Sequence, residues 1–300
     1  MKIILARHYG MCFGVRDALR RAHKAADNSP VTVLGKLVHN PVVQEHLRSL
    51  GIAEGTLDDT GSSRTRDVLI TAHGASDKAR AAWQEKGHRV LDTTCPLVRK
   101  AHAALAALVE EGCLPVVIGQ PGHAEVRGLT GDFPEACVLE SAAGLAALPY
   151  APRYGVISQT TQPLAHVRGL VAALQASRPG ATVVFRDTVC QPTKDRQTAL
   201  TALCAQVEAV VVVGGRFSNN TRQLTATIES MGVRAIQVER PEELEPRWFS
   251  GTATTGVTAG TSTPDESVRD VVQRLGEIAR ELAEGNVFQR LTEMAVKAMA

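Results

Sequence analysis

Short β-branched runs bounded by glycine alternate along the chain with amphipathic stretches of helical length. The apolar runs predict nine strands, over residues 2–6, 31–34, 68–71, 115–118, 155–158, 183–185, 210–213, 235–238 and 256–258. Helices are predicted between most of them, for example over residues 98–111 and 198–208. This alternation is typical of α/β units whose strands form parallel sheets.

The region after Pro264 predicts one further amphipathic helix. The apolar residues that would share its buried face are Val268, Val271, Val272, Leu275, Ile278 and Leu282.

The chain contains an internal repeat of three copies, and each copy has one cysteine at its start. Cys95 and Cys190 both end an Asp-Thr-x-Cys frame that follows an apolar strand, and Cys12 follows the first predicted strand. An apolar pair and a glycine precede a polar residue 27 or 28 positions after each cysteine; these polar residues are His39, His123 and Ser218. A second polar strand end follows in each copy, at His73, Thr160 and Ser262.

The repeat predicts three α/β domains with parallel sheets, and packing of these domains around a pseudo-threefold axis would create a central site. The expected domains cover residues 1–94, 95–186 and 187–278, followed by a C-terminal tail at 279–300. Ligands bind at the carboxyl ends of strands in open α/β sheets, so we expect the three thiols and the polar strand ends to meet there.

Composition narrows the classes of function. The 300 residues are 44% apolar and 21% charged, and the longest unbroken apolar run, residues 103–109, is too short for a membrane span. The 33 basic and 31 acidic side chains give no basic stripe, and 4% aromatic content offers few stacking platforms for bases. We therefore expect a cytoplasmic protein that binds neither nucleic acid nor membrane.

The six cysteines divide into two groups. Cys113, Cys137 and Cys204 do not recur with the repeat, and we interpret them as packing residues. Three recurring thiolates leave one coordination position open on a bound metal, which suits a zinc ion and equally a cubane iron–sulfur cluster. The sequence pattern alone leaves both possibilities open.

Two further motifs indicate an anionic substrate. Phosphate-loop and dinucleotide fingerprints are absent, but Ser218-Asn219-Asn220-Thr221 follows a strand and offers hydroxyls, amides and a helix N-terminus to a phosphate or diphosphate. Glu125 lies two residues after His123, where a carboxyl shielded from water would have a raised pKa and act as a proton donor. An ordinary helix cap and a solvated loop carboxylate remain the alternatives.

Taken together, the motifs of this chain resemble one family, the LytB/IspH proteins, which are 4-hydroxy-3-methylbut-2-enyl diphosphate reductases. The matching segments, in chain order, are Gly10-Met-Cys12-Phe-Gly-Val15, Val38-His39-Asn40, Ala72-His73-Gly74, Asp92-Thr-Thr-Cys95-Pro96, Gly122-His123-Ala-Glu125-Val126, Gln159-Thr160-Thr161, Cys190 with Arg196-Gln197, Ser218-Asn219-Asn220 and Ala259-Gly-Thr-Ser262-Thr-Pro-Asp265. Many family members carry a serine where this chain has Asn219.

The resemblance implies a trefoil of three α/β domains around a 4Fe-4S cluster with one open iron, held by Cys12, Cys95 and Cys190. It implies the last step of the non-mevalonate isoprenoid pathway. In that step two electrons from ferredoxin or flavodoxin remove the hydroxyl of the substrate as water, and isopentenyl and dimethylallyl diphosphates form.

The resemblance also assigns roles to the polar residues of the repeat. Glu125, Thr160 and His123 would form the catalytic group, with Glu125 relaying the proton and Thr160 orienting the hydroxyl. The residues that would bind the substrate are His39, His73, His123, Thr160, Ser218, Asn219, Asn220 and Ser262.

Two other functions remain possible at this stage. The chain is either a paralogue that reduces or dehydrates another diphosphate, or a non-catalytic iron–sulfur sensor. Glu125 and Thr160 favour an enzyme, because a sensor needs neither residue.

Overall fold

A computed structural model describes the backbone of residues 1–298 and the side chains of residues 1–285. Its strands are β1 (Lys2–Leu5), β2 (Val31–Leu34), β3 (Ala53–Gly55), β4 (Asp67–Ile70), β5 (Arg89–Asp92), β6 (Leu114–Ile118), β7 (Cys137–Leu139), β8 (Arg153–Ser158), β9 (Thr182–Phe185), β10 (Ala209–Val213), β11 (Arg234–Val238) and β12 (Thr254–Ala259). Its α-helices are α1 (Phe13–Ala26), α2 (Pro41–Ser49), α3 (Asp77–Glu85), α4 (Pro96–Glu110), α5 (Ala124–Thr130), α6 (Leu164–Ser177), α7 (Gln191–Cys204), α8 (Asn219–Ser230) and α9 (Asp265–Ala298).

The strands form three sheets, and every pairing within them is parallel. One compact unit, Cys12–Asp195, contains the sheets with strand orders β3-β2-β4-β5 and β7-β6-β8-β9. A second unit, formed by Met1–Met11 and the chain from Arg196 onward, contains the sheet β11-β10-β12-β1. The predicted α/β class with parallel sheets is therefore confirmed.

The three sheets share one strand order, and each sheet corresponds to one copy of the internal repeat. In each sheet the two central strands, β2 and β4, β6 and β8, or β10 and β12, precede the polar positions of one repeat copy. The edge strand beside them, β5, β9 or β1, precedes Cys95, Cys190 or Cys12 by three to seven residues. Strand β1 pairs with β12, so the first strand of the chain completes the sheet of the last copy. The predicted boundaries at residues 94 and 186 stay predictions.

All nine predicted strands are present, with ends displaced by no more than two residues. Three strands, β3, β5 and β7, are not among the nine predicted. Each lies at the edge of a sheet and is too short for a periodic pattern: β3 and β7 have three residues, and β5 has two apolar residues between Arg89 and Asp92. The predicted helix 98–111 corresponds to α4. The predicted bounds 198–208 are wrong: α7 begins directly after Cys190 and ends at Cys204, because residues 205–206 turn the chain into β10.

The amphipathic face predicted after Pro264 is confirmed in α9. Val268, Val271, Leu275 and Ile278 are fully buried in an apolar cluster with strands β10 and β12, and Val272 and Leu282 pack at its edge. Residues 299–300 of the predicted tail lie outside the described residues. No helix in the described part of the chain combines the length and apolar composition of a membrane span.

A glycine brings α4 close to the central strand β8. A Cβ atom on Gly155 would lie 2.8 Å from the Cβ atoms of both Leu108 and Cys113, closer than carbon atoms pack in proteins. In contrast, a Cβ atom on Gly169, in helix α6, would meet no atom within 4 Å.

We expect Gly155→Ala to lower the free energy of unfolding by about 1–3 kcal/mol, because the methyl group forces α4 away from the sheet. The matched variant Gly169→Ala should raise it by about 0.5–1 kcal/mol, since alanine restricts the unfolded chain and favours helix. Equilibrium denaturation in urea measures both changes. Equal stability of the two variants would contradict this account of the packing between α4 and β8.

Candidate active site

The two Asp-Thr-x-Cys frames form the same hydrogen-bonded turn. The carboxylate of Asp92 accepts the N–H of Thr94 at 2.9 Å, and that of Asp187 accepts the N–H of Val189 at 3.1 Å. In both cases an aspartate side chain accepts a backbone N–H two residues ahead, which is the geometry of an Asx turn. The aspartates thus fix the bend between each edge strand and its cysteine.

The threonine of each frame attaches this turn to the neighbouring central strand. The hydroxyl of Thr93 donates to the carbonyl oxygen of Ile70 at 2.6 Å, and that of Thr188 donates to the carbonyl oxygen of Ser158 at 2.6 Å. Ile70 and Ser158 are the last residues of β4 and β8. Both turns are therefore held at the carboxyl ends of the central strands.

The backbone of each of these cysteines is held in the same way. The N–H of Cys95 donates to the carbonyl oxygen of Ala72 at 3.1 Å, and the N–H of Cys190 donates to that of Thr160 at 2.9 Å. A helix follows each cysteine of the repeat, so each thiol lies at a helix N-terminus, where a thiolate is stabilised.

Cys12 and Cys95 lie close together because a glycine separates them. A Cβ atom on Gly14 would come within 2.4 Å of the Cys95 Sγ, so the first turn of α1 contacts this sulfur directly. All three recurring cysteines are free thiols of intermediate burial. Such a cradle, which a single methyl group would fill, fits a compact thiolate-bound metal group.

Burial favours the protonated form of two of these thiols, Cys95 and Cys190, when no cation is bound. It raises the pKa of the Cys95 thiol, and the charges of Cys12 and Glu125 act in the same direction. It raises the pKa of Cys190 to about 11, although a hydrogen bond with the Thr193 hydroxyl, at 3.1 Å, opposes the change. A metal centre supplies the positive charge that deprotonates such thiols outright.

The three remaining cysteines lie elsewhere. Cys113 and Cys204 are buried in apolar clusters, and Cys137 packs at the edge of another cluster. These positions agree with their interpretation as packing residues.

Three predicted histidines meet in one cluster. The ring centroid of His73 lies 5.7 Å from that of His39 and 5.4 Å from that of His123. The centroids of His39 and His123 are 6.3 Å apart. Their nitrogen atoms fall within 4.8 Å of one another, a spacing that suits a shared anion and would also suit a metal ion.

Local hydrogen bonds orient two of these rings. The Nδ1 atom of His123 accepts the N–H of Glu125 at 3.1 Å, which leaves the Nε2–H of the neutral ring as a donor. The Nδ1 atom of His73 lies 3.2 Å from the Thr71 hydroxyl. Burial, with the two neighbouring imidazoles, lowers the pKa of His73 to about 3, so this ring is neutral at pH 7.

Glu125 is a buried carboxyl held by one residue of the next strand end. Its Oε1 atom accepts the N–H of Thr160 at 2.6 Å, and its Oε2 atom lies 3.1 Å from the Thr160 hydroxyl. Only 2% of the residue is exposed. Burial raises its pKa to about 7, although both hydrogen bonds from Thr160 favour the ionised form. Near pH 7 this carboxyl can therefore both hold and release a proton.

The other predicted site residues lie in the second unit. Ser218 caps helix α8, where its hydroxyl accepts the N–H of Thr221 at 3.4 Å, and Asn220 accepts the N–H of Thr261 at 2.9 Å. The buried Nδ2 atom of Asn219 has no hydrogen-bond partner within the described residues. Ser262 is half-buried after strand β12. This unit thus offers donors at one helix N-terminus.

The Asp-Thr-x-Cys frames are visible in the sequence, but their structural role is not among the predictions. The residues that form the turns are Asp92, Thr93, Asp187 and Thr188. The signal was available, because the same pair stands before two cysteines of the repeat. The contact between Gly14 and Cys95 had no comparable signal, since it joins residues distant in sequence.

A buried protonatable carboxyl, clustered imidazoles and three thiols at strand ends are typical of a metal-dependent α/β enzyme that acts on an anionic substrate. The chain belongs to the LytB protein family, whose profile matches residues 3–276. A 4-hydroxy-3-methylbut-2-enyl diphosphate reductase from Geobacter metallireducens is 35% identical over 280 residues, 93% of this chain and 98% of the relative. The enzyme of the same name from Aquifex aeolicus is 32% identical over 92% of this chain and 96% of the relative.

Two solved structures share the fold. The E-1-hydroxy-2-methyl-but-2-enyl-4-diphosphate reductase from Plasmodium falciparum matches with a TM-score of 0.83 at 24% identity, covering 91% of this chain and 87% of the other. An (E)-4-hydroxy-3-methyl-but-2-enyl diphosphate reductase, described as the terminal enzyme of the non-mevalonate pathway, matches with a TM-score of 0.67 at 31% identity, covering 92% and 100%.

We expect the Glu125 carboxyl to titrate with a midpoint near pH 7, the pKa to which burial raises it. Thr160→Val removes a hydroxyl that stabilises the ionised form, so it should raise the midpoint by about one pH unit. The matched variant Thr161→Val should leave it unchanged. ¹³C NMR of labelled glutamate, assigned with Glu125→Gln, measures the midpoint. A midpoint near that of an exposed glutamate would contradict the burial described.

Proposed function

We propose that this protein catalyses the reductive removal of the hydroxyl group from 4-hydroxy-3-methylbut-2-enyl diphosphate, giving isopentenyl diphosphate, dimethylallyl diphosphate and water. The observation that carries the proposal is the buried carboxyl of Glu125, whose pKa of about 7 suits a proton donor, in the unit that also contains all three recurring cysteines. The names of the family relatives give the substrate.

The reaction consumes two electrons and two protons for each substrate molecule. The bond between carbon and the hydroxyl oxygen breaks, a carbon–hydrogen bond forms, and the hydroxyl leaves as water. Protonated Glu125 donates one proton to the departing oxygen, which becomes a neutral leaving group. The carboxylate that remains is stabilised by the N–H and hydroxyl of Thr160.

Cys12, Cys95 and Cys190 would hold a 4Fe-4S cluster. Such a cluster supplies single electrons and an iron that acts as a Lewis acid. Zinc suits the same three thiols, but it has no redox chemistry, so it cannot supply the electrons of a reduction. Ferredoxin or flavodoxin would deliver these electrons in the cytoplasm.

The diphosphate would be bound mainly by groups without a fixed charge. In the neutral His123 ring the proton is on Nε2, because Nδ1 accepts a backbone N–H, so this ring offers an N–H donor rather than a charge. We include His39 and His73 from the same cluster, together with Ser218, Asn219, Asn220 and Ser262. The Nδ2 atom of Asn219 supports this set, since it is a buried donor without a hydrogen-bond partner in the described chain.

Thr160 would orient the substrate hydroxyl. Its own hydroxyl lies against the Glu125 carboxyl, so a substrate oxygen that bonds to one of the two groups lies within reach of the other. Because Glu125 is almost completely buried, the proton it donates is protected from exchange with bulk water.

An anaerobic assay with this substrate and a chemical reductant tests the function. We expect Glu125→Gln to retain its iron but to lose turnover by about 10²- to 10⁴-fold, the usual contribution of a positioned acid. The matched variant Glu135→Gln changes an exposed carboxyl of the same unit and should retain full turnover. Full turnover in Glu125→Gln would remove this residue from the proton path, and a wild-type protein without turnover would overturn the function.

The cluster assignment is tested by metal analysis after anaerobic purification. We expect about four irons and four sulfides per wild-type chain, as for a cubane cluster. Cys95→Ser removes one of the three ligands and should lose most of this iron, whereas Cys137→Ser changes a packing cysteine and should keep it. A colourless wild-type protein that contains zinc would contradict the assignment.

A further inference from the structure

A groove of about 480 Å³ lies beside two of the three recurring cysteines and has no part in the substrate site described above. Its lining residues are Phe13, Arg16, Asp17, Arg20 and Pro96. Phe13 is 51% exposed, an unusual position for a large aromatic side chain at the first position of a helix. An exposed apolar surface with a polar rim is typical of a protein-binding site.

The groove is adjacent to the thiols through the covalent chain. Phe13 directly follows Cys12, and Pro96 directly follows Cys95. The backbone of Gly14 contacts the Cys95 Sγ, so the start of α1 covers this sulfur on one side. A molecule seated on Phe13 and Pro96 is therefore one residue away from two cluster ligands.

Basic residues outnumber acidic ones on the two helices that contribute to the groove. The exposed cations of α1 are Arg16, Arg20, Arg21 and Lys24, and the single acidic residue of this helix, Asp17, forms an ion pair with Arg20. The first turns of α4 add Arg99 and Lys100, both exposed. The whole chain carries a net charge of only +2, so this surface is far more basic than the average of the protein. Such a surface attracts and steers an acidic partner.

We propose that this groove docks an acidic protein that carries single electrons, with Phe13 as the apolar anchor and Arg16 and Arg20 as its cationic rim. The inference rests on the function proposed above, because that reaction needs two electrons per substrate. Two reduced carriers dock in turn, and each gives up one electron and leaves oxidised. The carbon–oxygen bond breaks, the hydroxyl leaves with one proton as water, and the two electrons and a second proton form the carbon–hydrogen bond.

The test compares two electron donors on the same cluster-loaded protein. The first is a reduced acidic ferredoxin, and the second is reduced methyl viologen, a small positively charged compound that needs no docking surface. We expect Arg20→Glu to lower kcat/KM for the ferredoxin about tenfold or more at low salt. Turnover with the viologen should not decrease, since the substitution attracts a cation. The difference should shrink as salt screens the charges.

Two further variants complete the design. Phe13→Ala should lower kcat/KM for the ferredoxin about tenfold, because it removes the side chain that docking would bury. Its iron content and its turnover with the viologen should be unchanged. Arg168→Glu makes the same charge change at an exposed position on α6 and should leave both reactions unchanged. If Arg20→Glu and Arg168→Glu affect the ferredoxin reaction equally, docking at this groove is overturned. If wild type turns over with neither donor, the proposed function fails instead.

Discussion

One residue, Thr160, connects the buried carboxyl of Glu125 to Cys190, one of the three recurring cysteines, and the rest of the site's geometry depends on it. Its N–H and hydroxyl contact the Glu125 carboxyl, while its carbonyl oxygen accepts the N–H of Cys190. Thr160 follows β8, a central strand buried on both sides, so it moves only if that sheet moves. The spacing between proton donor and cysteine is therefore determined by the sheet.

The same contacts couple the protonation of Glu125 to the charge on the Cys190 sulfur. The ionised Glu125 raises the pKa of the Cys190 thiol, and because electrostatic interactions are reciprocal, a thiolate raises the pKa of Glu125. Negative charge on this sulfur thus favours the protonated form of the carboxyl. A solvated glutamate would lose its proton well below pH 7 and could not serve at neutral pH.

Most of the fold and of the candidate site could be predicted from the internal repeat, because it places Cys12, Cys95 and Cys190 between the end of a strand and the start of a helix. It did not show that β1 lies in the last sheet, although Cys12 follows β1 just as Cys95 follows β5. Pairing partners are chosen by long-range packing, which has no local signal in the sequence. The contact between Gly14 and the Cys95 Sγ was invisible for the same reason.

The buried substrate site and the exposed groove on α1 would bind negatively charged molecules in two different ways. A fixed cation buried beside the substrate would incur a large desolvation cost, and the lowered pKa of His73 shows that this part of the unit disfavours charge. Neutral donors such as the Nε2–H of His123 avoid that cost and still match a small anion at short range. A protein partner must instead be attracted from a distance, which requires exposed charges such as Arg20 on α1, whose side chain is 78% exposed beside its ion-pair partner Asp17. The near balance of basic and acidic residues in the whole chain therefore conceals a division between an uncharged interior site and a basic docking face.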